Sequence, residues 1–246
     1  MIKKEKITMF DATEMQGVRT FADSSDAYAN GGRFVSFEHV SSGQEVSFKA
    51  FVTAFNETYS PDWSSESVYG RADPIHVFKN TSRRITLSLM LPASTIGEGY
   101  QNLGRVQKLV QFLYPTYENI QNANTISQSP LVRLKIMNLI ANRENTGSNT
   151  VSGKFKSIMA PTSGVLTAIR SFTVNHHLEN PDAGVFEVAS DIIIPKLIEI
   201  NTEFDVIHEH GVGWQKKADT RQTSFDVPLF PYGIDLVDAK LSTTPI

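Results

Sequence analysis

Six histidines and no cysteine limit the metal and thiol chemistry open to this 246-residue chain. His208 and His210 flank Glu209, and alternate positions of a strand share one face. Two imidazoles and a carboxylate are donors that zinc accepts. His176 and His177 are adjacent, so only one of them can face a given direction. No further ligand pair stands at a supporting spacing, and strand ends are ordinary places for histidine, so no metal is expected. The run Gly147-Ser-Asn-Thr-Val-Ser-Gly153-Lys154-Phe155 imitates a phosphate-binding loop. It puts five residues between its glycines where four are needed, and Phe155 where a magnesium-holding Ser or Thr belongs. A hairpin turn between two strands is the simpler reading. There is no thiol nucleophile, no Gly-x-Ser-x-Gly elbow for a serine, and no pair of carboxylates in apolar company that would tune one as an acid. Arg83-Arg84 is too short a basic step for a nucleic-acid footprint. Neither an enzyme nor a cofactor is expected.

Trp63, Tyr69 and Arg71 are of another kind. Trp, Tyr and Arg dominate the residues whose truncation costs interfaces most. All three fall in residues 59–75, which read as a shaped loop between two alternating segments. Gly70 permits a backbone angle that other residues resist, and Pro74 holds Asp73 extended. Trp63, Tyr69, Gly70, Arg71, Asp73 and Pro74 are therefore the candidate docking residues. The competing reading has Trp63 and Tyr69 closing the end of the domain's own core.

The elements that position this loop follow from periodicity. Upstream, Val46, Phe48, Ala50, Val52 and Ala54 share one strand face, with Phe51 and Phe55 on the other. Apolar residues on both faces predict a strand covered on both sides. Downstream, Ile85, Leu87, Leu89 and Leu91 alternate with Thr86, Ser88 and Met90, which predicts a half-buried strand. Pro92 ends it and Ser94 is the expected N-cap of a helix over 94–113. Ile96, Tyr100, Leu103, Val106 or Gln107, Val110 and Leu113 recur at the helical period. Gly97, Gly99 and Gly104 weaken that helix, each by about 1 kcal/mol relative to alanine, so packing must hold it. Residues 119–129 read as a polar loop. Strands follow over 131–140 and 151–158, joined by a turn at 144–149, and another over 165–176. Asn180-Pro-Asp-Ala-Gly184 is a turn, and 186–206 is strand-like with an interruption at Pro195.

Composition sets the frame. Forty per cent of residues are apolar and the formal net charge is -3, which suits one large β domain and implies neither nucleic acid nor an acidic tail. Met1-Ile-Lys-Lys-Glu-Lys has no apolar run behind its charges, so no secretory signal is expected. No stretch approaches the roughly 18–20 apolar residues of a membrane span, so no membrane partner is expected. The organisation is an N-terminal arm at 1–33, a β domain at 34–207 and a C-terminal arm at 208–246. Each arm is ordered only by a neighbour, unless the first is simply a disordered tail. The expected fold class is mainly β, a barrel or sandwich with one flanking helix.

Several short motifs resemble the proteins at the baseplate–tail-tube junction of contractile-tailed bacteriophages, the tube initiators. They run in the same order as in that family: Trp63-Ser-Ser-Glu-Ser-Val-Tyr-Gly-Arg-Ala-Asp-Pro-Ile75, Asn80-Thr-Ser-Arg-Arg-Ile-Thr-Leu-Ser88, Asn102-Leu-Gly-Arg-Val-Gln-Lys-Leu109, Tyr114-Pro-Thr-Tyr117 and Ser129-Pro-Leu-Val-Arg133. The resemblance covers about residues 45–160 and involves no catalytic residue. It departs at the helix, where Gly97, Gly99 and Gly104 stand in place of better helix formers. It implies a tail-tube-like fold, a homo-hexameric ring, and location in the virion tail after assembly in the host cytoplasm. Adjacent tail-tube or baseplate hub proteins would be its partners, with sheath or wedge proteins beyond them, and DNA would only pass through the lumen. A monomeric carbohydrate or cell-wall binding module, stacking sugars on Tyr59, Trp63 and Tyr69, is the alternative.

Overall fold

The computed structural model describes residues 29, 33–49, 51–120, 123–137, 139–140, 164–179, 184–209, 211–213, 215–216, 225–226 and 230–232. Most of both arms, the segment 141–163 with its imitation phosphate loop, and His210 lie outside them.

In chain order the strands are β1 (Phe34–His39), β2 (Gln44–Lys49), β3 (Val52–Glu66) and β4 (Ile75–Pro92). Helix α1 (Ile96–Gln111) follows, then β5 (Thr116–Ile120), β6 (Ala123–Gln128), β7 (Leu131–Ile136) and β8 (Val165–Asn175). The rest are β9 (Val185–Ala189), β10 (Ile192–Pro195), β11 (Leu197–Val206), β12 (Gln215–Lys216) and β13 (Phe225–Asp226). The fold is mainly β, built on one antiparallel seven-stranded sheet in the order β2-β1-β7-β8-β11-β4-β3.

That order places β2 and β3 on opposite edges, yet only residues 50 and 51 join them. In a flat sheet the edges of seven strands lie about 29 Å apart. Three peptide steps reach at most about 11 Å. The sheet must therefore curl until its edges approach. Phe51 lies in the join, its N–H donating to the Lys49 carbonyl at 2.8 Å and its carbonyl accepting from the Met90 N–H at 2.9 Å. The rings of Phe37 on β1 and Phe204 on β11 stack 6.1 Å apart although β7 and β8 separate their strands. Among the described residues the curl stops short of a closed barrel.

The inside of the curl is the core. Ile85, Leu87, Leu89 and Leu91 are 0–3% exposed, as their alternation predicts. Val35, Phe37, Val46, Phe48, Val132, Leu134, Ile198, Ile200 and Phe204 meet them there. Segment 46–55 is not one strand covered on both sides. It breaks at the join, β2 buries only Val46 and Phe48, and Phe51 is 40% exposed.

Helix α1 covers one side of this core, shorter than expected and rotated at its start. Gly99, Asn102, Val106 and Leu109 are buried, whereas Ile96 and Tyr100 are exposed. The expected stripe holds at Val106, and in part at Leu103 and Val110, which pack against the core, but at the start of the helix Gly99 and Asn102 face inward in place of Ile96 and Tyr100. A Cβ at Gly99 would stand 2.5 Å from the Ile194 Cγ2 atom, so the glycine admits the helix against β10. The N-cap is Thr95, not Ser94: the Thr95 hydroxyl accepts from the Glu98 N–H at 3.2 Å, and Glu98 accepts from the Ser94 N–H at 2.8 Å. Lys49 also donates to Glu98, at 2.8 Å. Burial pushes the Glu98 carboxyl up, but the bonds from Lys49 and Ser94 outweigh it and hold the group below the usual carboxylate range.

Three further expectations change. Residues expected as a polar loop at 119–129 fall largely in the β5–β6 hairpin, whose two-sided polarity hides the strand signal. The stretch 186–206 is three strands: β9 and β10 form a hairpin turned at Asp191, with φ 72°, and β11 restarts after Pro195. Residues 131–140 hold a strand only to Ile136, with Ile140 folding back on it.

Candidate functional site: an exposed aromatic ribbon

Residues 59–75 are not a loop. Strand β3 runs on to Glu66 and β4 begins at Ile75, so only 67–74 lie between them. Strand β11 covers β4 from Pro92 back to Arg84, and beyond Arg84 β3 is the only strand among the described residues that pairs with β4. The pair therefore continues past the sheet as a two-stranded ribbon, roughly 25–30 Å long at strand rise. A two-stranded ribbon without a third layer is marginal in water.

Most of its side chains are polar, but large apolar ones stand in solvent among them. Trp63 is 56% exposed, Phe78 50% and Val77 54%. Trp63 packs edge-on against Phe78, with centroids 5.1 Å apart. A β-bulge makes this pair: Asp62 faces Asn80 but Trp63 faces Phe78, so Lys79 is the extra residue. With regular pairing Trp63 would face Lys79. The bulge brings the second aromatic ring onto the face where Tyr59, Pro61 and Trp63 alternate. Lys79 and Asp62 approach to 3.7 Å on the surface, a pair too exposed to hold the ribbon.

At the tip, the Arg71 N–H donates to the Val68 carbonyl at 3.2 Å and Gly70 has φ 86°. A positive φ at the third residue is the type II turn, which favours glycine there. Tyr69 is fully in solvent, and Arg71, Asp73 and Pro74 are exposed beside it. The six candidate residues thus divide: Trp63 lies on the strand and the other five at the tip. Neither Trp63 nor Tyr69 closes the domain's own core.

Sequence reasoning missed the ribbon's root. Arg83 continues the inward face of Ile85 and Leu87, and that register is the signal that identifies it. Its side chain is 3% exposed. Its Nε and Nη2 donate to the Glu57 Oε2 atom at 2.9 and 2.7 Å, and the Tyr59 hydroxyl donates to the same oxygen at 2.7 Å. The Tyr232 hydroxyl donates to the other oxygen, Oε1, at 3.1 Å. Burial, then the bond to Glu57, pushes the Tyr59 phenol well above its ordinary value. Phe78 and Val77 were missed because the bulge scrambles their alternation.

Of the histidines, His177 pairs with Glu199 at 2.9 Å and His208 lies against the Phe230 ring at 5.5 Å. Among the described residues no group of three or more His, Asp or Glu side chains is placed to hold a metal ion. No helix among them is long and apolar enough to cross a membrane. No protein-family profile matches the chain, and no curated protein matches it.

Proposed function

We propose that the chain is a structural protein of a contractile phage tail, without catalytic activity. Six copies would form a ring at the junction of baseplate hub and tail tube, with a tail-tube-like subunit fold. One observation carries the reading: a ribbon with Trp63, Val77 and Phe78 in solvent, projecting from a sheet that has its own complete core. Such a ribbon gains stability by lying against a neighbour, and its apolar residues then leave water. The order of short motifs between about residues 45 and 160 supports the same identity. A ring closed head to tail is a heterologous interface, which suits a projection on one side of the subunit. Adjacent tube or hub subunits are the partners, and DNA passes without sequence recognition.

The alternative, a monomeric sugar binder, is weakened by the aromatic geometry. Trp63 and Phe78 meet at 65°, so they offer no common flat platform, and Tyr59 is engaged with Glu57 and Phe230. Mass photometry with negative-stain microscopy of the purified chain tests the proposal. Rings of six with an axial opening are expected. A monomer at micromolar concentration that binds cell-wall polysaccharide, and loses that binding in Trp63→Ala, would overturn it.

A further inference from the structure

The ribbon leaves the sheet at Arg83, the first β4 residue beyond the cover of β11. Residues 230–232 lie across this point. Phe230 presents its ring to the Arg83 guanidinium at 5.2 Å and packs edge-on against Tyr59 at 6.4 Å. It also meets His208, two residues past the end of β11, at 5.5 Å. Tyr232 takes the one Glu57 oxygen that Arg83 and Tyr59 leave open. The segment therefore ties β3, β4 and the end of β11 together at the root of the ribbon.

We propose that residues 230–232 are a strap that fixes the angle at which the β3–β4 ribbon leaves the sheet. A two-stranded ribbon twists and bends freely about its root unless a third element braces it. Here the brace is side chain on side chain. The Arg83–Glu57 pair can be rigid because it is desolvated, with side chains 3% and 6% exposed, and the Phe230 ring helps to keep it so. Removing that cover admits water and turns a fixed pair into a mobile surface one. The strap then acts on the ribbon as a whole while leaving the sheet's core intact. This inference concerns the single subunit and holds whether or not rings form.

Hydrogen exchange read by mass spectrometry on the full chain tests it, with Phe230→Ala and Tyr232→Phe compared with the parent in the same assembly state. Ribbon amides at 59–66 and 75–83 are expected to exchange about tenfold faster in Phe230→Ala, with β1, β7 and β8 unchanged. Tyr232→Phe removes one oxygen and keeps the ring, so it decides the matter should Phe230→Ala fail to fold. It should give the same pattern at smaller amplitude. Parent-like ribbon exchange in Tyr232→Phe would overturn the strap. So would a rise spread equally over β1, β7 and β8, which would make the contact a general contribution to stability.

Discussion

Strands β3 and β4 make two different objects along one hairpin. In the proximal half β4 lies between β3 and β11, and Ile85, Leu87, Leu89 and Leu91 are nearly out of solvent. In the distal half the same two strands have no third partner among the described residues, and Trp63, Val77 and Phe78 are half exposed. The proximal half is the richer in apolar residues, but both halves carry large ones, and what differs for those is cover. A large apolar side chain contributes roughly 1.5–3 kcal/mol when removed from water, and the distal ones have realised only part of that within one chain. The Arg83–Glu57 pair marks the boundary, the last inward-facing position with protein over it.

The largest difference between the halves should appear on truncation. Leu87→Ala removes a fully buried side chain and should cost about 2–5 kcal/mol, read by urea denaturation. A loss under about 1 kcal/mol there would mean the curled core is not packed as described. A second large effect belongs to Lys135, which is 0% exposed on the far face of β7 with its ammonium 4.4 Å from the Phe34 ring centroid. Burial pushes it down to about 8, against a smaller opposing influence from Glu45. The folded chain then binds fewer protons than the unfolded chain between about pH 8 and 10.5. Stability should rise with pH across that window, by about 3 kcal/mol from this group alone. Comparing the pH profiles of the parent and Lys135→Met isolates the contribution, and parallel profiles would show that Lys135 keeps an ordinary affinity for its proton.

What the sequence disclosed follows the same division. The strand at Ile85–Leu91 was legible because one face is buried and the other wet, which writes a period of two into the residues. The helix is legible as an element, and its middle in phase at Val106, but its first turn is not, because Gly99, which faces inward there, contributes by lacking a side chain. Segment 46–55 misled because two half-buried edge strands in series imitate one strand buried on both faces. In sequence the ribbon has the look of a loop because Pro61, Pro74 and the neighbouring Ser and Asp residues are turn formers, and only the pairing strand overrides them. Phe78 could not be placed opposite Trp63 without knowing of the bulge. The root cluster joins Glu57, Arg83 and Tyr232, a separation in sequence that no local pattern spans.

Gly99→Ala should have a moderate effect and the opposite sign to that of helix propensity. In a free helix alanine is favoured over glycine by about 1 kcal/mol. Here the new methyl group meets Ile194 at 2.5 Å, so either β10 or the helix must shift, at a net cost of about 1–3 kcal/mol. Thermal melting checks the sign. A variant more stable than the parent would mean that β10 yields freely and that Gly99 does not set the phase of the helix's first turn.

Trp63→Ala should have the smallest effect on the folded chain. Its indole is more than half exposed and its aromatic partner among the described residues is Phe78, whose edge-on contact contributes about 0.5–1.5 kcal/mol. The bulge remains, the strap at the root remains, and the sheet's core is not touched. The melting temperature should therefore move by only a few degrees. Assembly should respond quite differently, because an aromatic anchor at a subunit contact typically costs about 2 kcal/mol or more on truncation. Phe78→Ala should behave alike, and the double variant should lose little more than either alone, since the two rings form one contact. Melting and ring formation measured on the same preparations separate the possibilities. A variant that melts as the parent does and still assembles removes the ribbon from the interface. A variant that melts far lower shows that Trp63 supports its own subunit, and the contrast between the two halves of the hairpin then fails at its distal end.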